Sequence, residues 1–282
     1  MAKTYIPLLG ALLVCSLGLS QAGAVDSGVV DLVNRKVLRV CSDPTNLPFS
    51  NEKGEGFENK IAEVIADELK VPVEYTWFPM STGFVRMTLF SKRCDLIVGY
   101  AQGDELVLNS NAYYHSTYAI VAKPGSGLED VTKLSDPRLK DKRIGVVANT
   151  PPGFQMAKHG LMGKAKPYPL VVDTRFDSSA AEMAKDIRKG EIDAGVLWGP
   201  FAGYYAKNGG EPLSVQALAP DPEVSTKQVY GVTLGVRPSD TDWKKQLNTI
   251  LLKRRADIDK ILLAYGVPLL DDQGQVVTAP RP

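Results

Sequence analysis

Histidine and cysteine are scarce in this chain of 282 residues, which contains two histidines and three cysteines. Catalytic triads and zinc sites need a histidine close to other reactive groups, and neither His115 nor His159 stands in such a motif. A nucleophile elbow, a P-loop and an HExxH motif are missing as well. The sequence therefore favours a binding protein over an enzyme, and it predicts no catalytic residue and no cofactor.

A strong charge of either sign is also missing, since the formal net charge is +1. Nucleic-acid-binding proteins usually carry a basic face, and no basic stripe is visible in this sequence. The stretch from Asn51 to Gly56 resembles a calcium loop only superficially, because Lys53 occupies a ligand position and the bidentate glutamate is missing at the right distance. We therefore predict neither a nucleic-acid partner nor a metal site.

One long apolar run is present, at residues 6–19, and no later segment is apolar enough to span a bilayer. Lys3 precedes the run, and residues 21–24 (QAGA) have small residues, Ala22 and Ala24, at the two positions that an A-x-A cleavage site needs. The run is too short for a membrane anchor. We predict a signal peptide at 1–24, a periplasmic location, and no membrane insertion after cleavage.

Predicted strands and helices alternate along the mature chain, which is typical of βαβ units and a parallel sheet. A first series has strands at 37–41, 73–77 and 95–100, one helix that begins at Gly56–Phe57 and a second helix at 83–91. A second series has strands at 143–147, 171–172 and 192–198, and helices at 150–159, 178–189 and 201–207. Extended runs at 113–122 and 228–236 connect the two series, and two helices follow.

This order predicts an α/β fold of two lobes joined by two crossing hinge segments. Residues 25–120 with 231–282 would form lobe 1, and residues 121–230 would form lobe 2. Ligands of open α/β sheets bind beyond the carboxyl ends of the strands, so a cleft is expected between the lobes. The side chains predicted to line it follow a strand or begin the next helix; they are Phe49, Trp77, Phe78, Tyr100, Asn149, Thr150, Phe154, Trp198 and Phe201.

Trp198 is the strongest candidate among these residues, because indole is a favoured anchor at binding surfaces. Asn149 and Thr150, at a predicted helix start, could hold a small anion or cap the helix. After signal cleavage two cysteines remain, and in an oxidising compartment two cysteines pair more often than they stay free. Cys41 ends the first strand and Cys94 precedes the third, so we predict a disulfide between these neighbouring strands.

Seven stretches, in the right order, resemble type II periplasmic solute-binding proteins over the whole mature chain. The amino-acid receptors of that family clamp their ligand with an arginine after the third strand and an aspartate in the second lobe. Here the first region, Tyr100–Glu105, has no arginine, and Trp198 falls at the aspartate position. A carboxylate needs such a charge-assisted donor, so the departure argues against a plain amino acid. The seven stretches are LRVCSDPTNLPFS, GFENKIAEVIADEL, KRCDLIVGY, AYYHSTYAIVAKPGSGL, LKDKRIGVVANT, IRKGEIDAGVLWGPFAGYYA and YGVTLGVRPSD.

A narrower resemblance concerns SDPTNLPFSNEKGEGFENKIAEVIA, WFPMSTGFVRMTLFSKRCDLIVGY and YYHSTYAIV. These stretches are similar to the MoxJ/XoxJ family, the accessory proteins of PQQ-dependent methanol dehydrogenases, and we favour its lanthanide branch. The resemblance implies a maturation or activation role, with the dehydrogenase large subunit as partner and a c-type cytochrome as a further partner. The alternatives are an ABC-transporter receptor for an unusual, non-amino-acid solute and, third, an enzyme that uses Asp104 or Glu105.

Overall fold

The computed structural model describes residues 1–2, 33–225 and 227–281. Residues 3–24 of the predicted signal peptide, and its cleavage site, lie outside the described residues. Among the residues that are described, no helix is both long enough and apolar enough to cross a membrane. Leu32–Pro282 form one compact unit, which contains every element discussed below.

Strands and helices of this unit alternate, as the hydrophobic pattern predicts. The strands are β1 Leu38–Ser42, β2 Thr45–Asn46, β3 Ser50–Asn51, β4 Val73–Trp77, β5 Leu96–Ala101, β6 Leu108–Asn109, β7 Tyr114–Ala122, β8 Ile144–Val147, β9 Lys166–Tyr168, β10 Ala194–Trp198, β11 Ser214–Ala217, β12 Val229–Val236, β13 Leu269–Leu270 and β14 Val276–Val277. The α-helices are α1 Phe57–Leu69, α2 Phe84–Met87, α3 Pro151–Lys158, α4 Ser179–Lys189, α5 Gly199–Lys207, α6 Thr241–Lys253 and α7 Arg255–Ala264.

A single large sheet runs through the unit in the order β4-β1-β5-β12-β7-β10-β8-β9. On one side β1 pairs in parallel with β4 and β5, and on the other side β8 pairs in parallel with β9 and β10. The long strands β7 and β12 lie in the middle and pair with each other in antiparallel fashion. These two strands are the predicted crossing segments, and they place the carboxyl ends of both parallel sets around one central region.

Apolar side chains form a first core around β1, β5 and α1, which also includes the carboxyl-terminal helices. Helix α1 presents Phe57, Ile61 and Ile65 to this core, four residues apart along one face. Leu247 of α6 and Leu262 of α7 are fully buried in the same core. The last two helices therefore pack with the amino-terminal strands, as the two-lobe interpretation requires, while the exact lobe boundaries stay a prediction.

A second region of core lies on the two faces of β7. Ile120 and Ala122 point into one cluster, with Ile144 and Met156, whereas Ala119 and Val121 point into another, with Met183 and Ile187. This alternation follows from the two-residue period of side chains along a strand. Both clusters are made by residues from the middle of the chain, so the sheet carries separate cores at its two ends.

Cys41 and Cys94 form a disulfide with their Cα atoms 5.5 Å apart, which confirms the predicted pairing. Both cysteines are buried in a small cluster that contains Phe84, Leu89 and Ile97. The bond joins β1 to the start of β5, its parallel neighbour. It thereby fixes the two strands whose carboxyl ends lead toward the centre of the molecule.

The predicted strand at 171–172 is wrong, because these valines lie in an irregular segment and Val171 is 83% exposed. The strand instead occupies Lys166–Tyr168 and pairs in parallel with β8. This strand contains Pro167, which is tolerated because β9 is the edge strand of the sheet. Pro167 therefore concealed the strand from a sequence-based prediction, and the β-branched residues Val171 and Val172 led to a strand being predicted in the wrong place. Helix α2 is also shorter than the predicted segment that begins at Gly83, and β11 was not predicted.

Candidate functional site

A cavity of about 300 Å³ lies where the central strands meet the beginning of α1. Strands β5, β7, β10 and β12 all contribute side chains or backbone to its wall, so both ends of the sheet take part. Its lining residues are Asn46, Phe49, Glu58, Met80, Gly99, Ala101, Tyr114, Tyr118, Trp198, Tyr230, Gly231 and Val232. The cavity therefore occupies the position at which the sequence predicts a cleft.

Three rings form what we call the aromatic wall: Tyr118 on β7, Trp198 at the end of β10, and Tyr230 on β12. They contact one another edge to face, with centroid distances of 5.5 Å for Tyr118–Trp198, 5.5 Å for Trp198–Tyr230 and 6.1 Å for Tyr118–Tyr230. Burial raises the pKa of Tyr118 to about 12, so its phenol is neutral at physiological pH. The three rings are themselves uncharged, and the Lys227 ammonium lies over the Tyr230 ring, 5.5 Å from its centroid.

Residues 43–56, which we call the lip, form the loop between β1 and α1. The Asp43 carboxylate accepts hydrogen bonds from the backbone N–H groups of Thr45 at 2.9 Å and Met80 at 2.6 Å. At the other end, Asn59 Oδ1 accepts from the N–H groups of Asn51 and Gly56, both at 3.1 Å. Buried polar side chains therefore hold the lip in one conformation from both ends.

Lip residues also touch the opposite side of the cavity. Phe49 packs edge to face on Phe201 of α5, with ring centroids 5.0 Å apart. The Tyr205 hydroxyl donates to the Leu47 carbonyl at 3.3 Å, and the hydroxyls of Thr45 and Thr174 lie 3.0 Å apart. The cleft is therefore closed along this side by aromatic and polar contacts.

Glu58 lies in the first turn of α1 and is only 4% exposed. Its carboxyl packs against Gly99 of β5, where a Cβ atom would lie 1.7 Å from Glu58 Oε1. Gly99 also has a φ of +79°, so glycine is required at this position both by conformation and by the space that Glu58 occupies. Burial, together with the negative charge of Asp43, raises the pKa of Glu58 well above its ordinary value.

Of the predicted cleft residues, Phe49 and Trp198 line the cavity, and Phe201 packs directly behind Phe49. Tyr100 lies between two lining residues of β5, Gly99 and Ala101, and its side chain points to the other face of the sheet because side chains alternate along a strand. There it packs against the cluster around the disulfide, and its hydroxyl donates to Asp104 at 3.3 Å.

The other predicted residues do not line the cavity. Trp77 stacks on Tyr75 with ring centroids 4.5 Å apart, and Phe78 packs against Phe84 in the cluster around the disulfide. Thr150 donates its hydroxyl to the Val147 carbonyl at 2.6 Å and precedes α3.

Asn149 has a left-handed backbone with a φ of 60°, and Phe154 is 66% exposed. Asn149 and Thr150 connect β8 to α3, and Phe154 lies within α3. Whether the predicted residues contact a partner stays a prediction.

Sequence reasoning missed Glu58, Tyr114, Tyr118 and Tyr230. Two of these could have been found, since Tyr114 and Tyr118 are four positions apart in the first crossing strand and so share one face. The sequence did not indicate that Glu58 is buried, because an acidic residue in the first turn of a helix is ordinarily exposed to solvent and interacts with the helix dipole. Its burial depends on Gly99, which is distant in sequence.

Neither histidine is among the residues that line the cavity, although His115 pairs with the lining residue Gly231, and each histidine lies beside an acidic residue. His159 Nε2 is 2.6 Å from Asp221 Oδ2, and His115 Nδ1 is 3.6 Å from Asp272 Oδ1. In the described ranges, no group of three or more His, Cys, Asp or Glu side chains could hold a metal ion.

Known proteins resemble this chain over most of its length. The bacterial extracellular solute-binding proteins of family 3 match residues 38–267. Protein MoxJ of Methylorubrum extorquens is 31% identical over 250 residues, which are 83% of this chain and 81% of that protein.

Two crystal structures are similar to this structure in fold. That of the periplasmic binding protein XoxJ from Methylobacterium extorquens AM1 is 44% identical, has a TM-score of 0.71, and covers 83% of this chain and 100% of its own. That of MxaJ from Methlophaga aminisulfidivorans MPT is 26% identical, with a TM-score of 0.70 and the same coverage.

Proposed function

This chain belongs to family 3 of the bacterial extracellular solute-binding proteins, and from that premise we propose that it is a non-enzymatic periplasmic accessory protein of a PQQ-dependent methanol dehydrogenase. Its fold is that of the type II periplasmic binding proteins, and MoxJ and XoxJ are its relatives. The 44% identity to XoxJ supports the lanthanide-dependent branch of these dehydrogenases. In this proposal the cleft receives a segment of the dehydrogenase large subunit.

The observation that carries this proposal is the chemistry of the cavity. Among the described residues that line it, there is no lysine, arginine or histidine, and Glu58 is the acidic member of the set. An amino-acid ligand needs a cationic donor for its carboxylate, and this cavity offers a buried carboxyl instead. Aromatic rings make up much of the rest, and such rings are enriched where proteins bind one another.

Exposed apolar side chains near the cleft edge give further support. Phe154 follows β8, whereas Leu170, Val171 and Phe176 follow its neighbour β9, and all four are more than half exposed. Exposed apolar groups of this size, when they occur together, mark sites of protein association. The carboxyl ends of the second parallel set therefore offer a surface that a protein partner could cover while one of its segments enters the cleft.

The direct test is a strain in which the gene for this protein has been deleted. We expect low methanol dehydrogenase activity and incomplete PQQ or metal loading there, restored by the wild-type gene. A tagged copy should co-purify with the dehydrogenase large subunit, and the proposed c-type cytochrome is sought in the same preparation. Full activity and full metal loading in the deletion strain would contradict the proposal.

The cavity volume favours one alternative, a receptor for an unusual small solute. A volume of about 300 Å³ lies at the lower end of the range for small-molecule pockets. A calorimetric screen with uncharged and aromatic metabolites separates the two functions. A solute bound with a Kd of about 1 μM, which corresponds to about −8 kcal/mol, would favour the receptor.

A further inference from the structure

Glu58 stands out because it is a buried carboxyl group that faces a cavity. The residue is 4% exposed and belongs to the cavity lining. No residue in the described part of the chain donates a hydrogen bond to its carboxyl oxygens or forms an ion pair with them. The carboxyl therefore faces the cavity without a partner from the described residues, and a polar group placed in this way is positioned to meet a ligand that enters the cavity.

The groups around Glu58 do not supply the missing positive charge. Asp43 lies after β1 and has its own donors, the N–H groups of Thr45 and Met80. The electrostatic neighbours of Glu58 on β4 and at the start of β7 are the phenols of Tyr75, Tyr113 and Tyr114, whose pKa values are raised above the ordinary value, first by burial. Among the residues that the structure describes, the titratable groups that interact with Glu58 are therefore acidic or neutral.

We propose that Glu58 binds an ammonium group at the floor of the cavity and, resting on the proposed function, that a lysine side chain of the dehydrogenase carries this group into the cleft. A carboxylate beside aromatic rings is the chemistry that recognises organic ammonium groups, since the rings attract the cation and the carboxylate accepts its hydrogen bonds. Phe49 and the aromatic wall surround the methylene stem of such a side chain.

Other ligand classes fit this floor less well. An anion would find no cationic partner among the described residues that line the cavity, and the negative charge of Asp43, which already disfavours the ionised form of Glu58, would repel it. A calcium or magnesium ion requires several oxygen ligands around it, and a single carboxylate among rings does not provide them. A bound ammonium group places a positive charge beside Glu58, where the described residues provide none. Binding therefore lowers the pKa of Glu58, and a proton is released.

The first experiment uses n-butylammonium as the probe, titrated calorimetrically into the protein purified from the periplasm, with n-butanol as the uncharged comparison. We expect the wild type to bind n-butylammonium at least tenfold more tightly than n-butanol, and Glu58→Gln to remove this preference. Glu63→Gln is the matched control, because Glu63 lies on the same helix, is 54% exposed and pairs with Lys60 on the surface. Equal binding of both probes, or an unchanged preference in Glu58→Gln, would overturn the proposal.

The second experiment uses purified methanol dehydrogenase, either with its lysines acetylated, which removes their charge, or with its lysines dimethylated, which keeps it. We expect acetylation to weaken binding to the wild type at least tenfold more than dimethylation does, and this difference to disappear with Glu58→Gln. If the unmodified dehydrogenase binds the wild type and Glu58→Gln with equal affinity, the lysine assignment is refuted and the proposed function stands. A dehydrogenase that never binds the wild type would refute the proposed function, while the n-butylammonium titration still decides the ammonium site.

Discussion

At the scale of single residues, Glu58 lowers the stability of the folded protein at neutral pH. Because burial raises its pKa, the folded protein holds the proton more tightly than the unfolded chain does, whose carboxyl titrates near 4.5. Stability therefore falls as the pH rises above 4.5 and through the folded-state pKa. Retention of such a group indicates a role other than folding, which agrees with its place at the cavity floor.

We expect Glu58→Gln to raise the free energy of unfolding at pH 7, because the neutral amide removes the cost of ionising or protonating a buried carboxyl whose pKa is raised by burial. The gain should shrink as the pH falls to 4, where the carboxyl is mostly protonated in both states. Urea denaturation at both pH values measures it, and Glu63→Gln should change little at either. A wild type more stable than Glu58→Gln at pH 7 would show that the carboxyl has a stabilising partner.

Trp198 and Trp77 provide a second comparison at this scale, because both were predicted to line the cleft and only Trp198 lines the cavity. We expect Trp198→Ala to weaken binding of the dehydrogenase at least tenfold, since buried indoles are frequent hot spots. Trp77→Ala should weaken it less than threefold, because Trp77 stacks on Tyr75 instead. Calorimetry on the two variants decides, and equal losses would place the binding surface outside the cavity.

Whether a cavity residue can be predicted from the sequence depends on whether its position is set by neighbouring residues or by contacts distant in sequence. Trp198 ends β10 and Phe49 lies in the lip that follows β1, and their position in the sequence is enough to place them at the cleft. Tyr100 also lies near the end of a strand, but its side chain points to the face of β5 opposite the cavity. A shift of one residue along a strand moves a side chain to the other face, and the sequence pattern alone does not fix that register. Glu58 depends on a contact with Gly99 across the fold, and no spacing within α1 indicates it.

At the scale of elements, the disulfide fixes two neighbouring strands beneath the cleft. Cys41 and Cys94 are separated by 53 residues, a loop whose closure in the unfolded chain corresponds to about 4 kcal/mol in the chain-entropy model.

The variant with both Cys41→Ser and Cys94→Ser should therefore lose about 4 kcal/mol of unfolding free energy in guanidinium denaturation. Wild-type protein unfolded after reduction is the control and should lose a comparable amount. A loss below about 1 kcal/mol would mean that the bond adds little beyond the packing around it.

Helix α5 contacts the residues that follow α7, and the contact is made by two glycines, Gly203 and Gly266. A Cβ atom at Gly203 would lie 1.8 Å from the Gly266 carbonyl oxygen, so the two backbones meet directly. We expect Gly203→Ala to lower the unfolding free energy by about 1–3 kcal/mol through overpacking.

Gly153→Ala is the matched control for this prediction, because Gly153 lies in α3 and a Cβ atom there would meet no atom within 4 Å. It should raise the unfolding free energy by about 0.4–1 kcal/mol, since alanine restricts the unfolded chain. Thermal denaturation of both variants measures the pair. A neutral Gly203→Ala would show that α5 and α7 can separate without cost.

Elements with strong periodicity were predictable from sequence. Strand Val73–Trp77 has the predicted bounds, and α1 has the predicted apolar face. Helix α4 begins after Ser178, whose hydroxyl accepts from the Ala181 N–H as the capping pattern indicates. Strand β9 could not be found in this way, because only its edge position in the sheet allows Pro167 within it.

At the scale of the whole molecule, the two ends of the sheet are linked by more than the crossing strands. The lip contacts α5 through Phe49 and Phe201, and Lys207 Nζ donates to the Ala264 carbonyl at 3.3 Å near the end of α7. Both contacts involve α5, and together they favour one relative arrangement of the two ends of the sheet. A partner segment would therefore meet a cavity whose wall is formed before binding.

Hydrogen exchange on the complex of this protein with purified methanol dehydrogenase tests the central claim most directly. Since binding should seal the cavity, we predict slower exchange in the peptides that contain the lip, Glu58, Gly99, Tyr118 and Trp198, and no change at α6. Glu58→Gln should show weaker protection at the same peptides. Protection confined to surfaces away from the cavity, or a complex that does not form, would contradict the account.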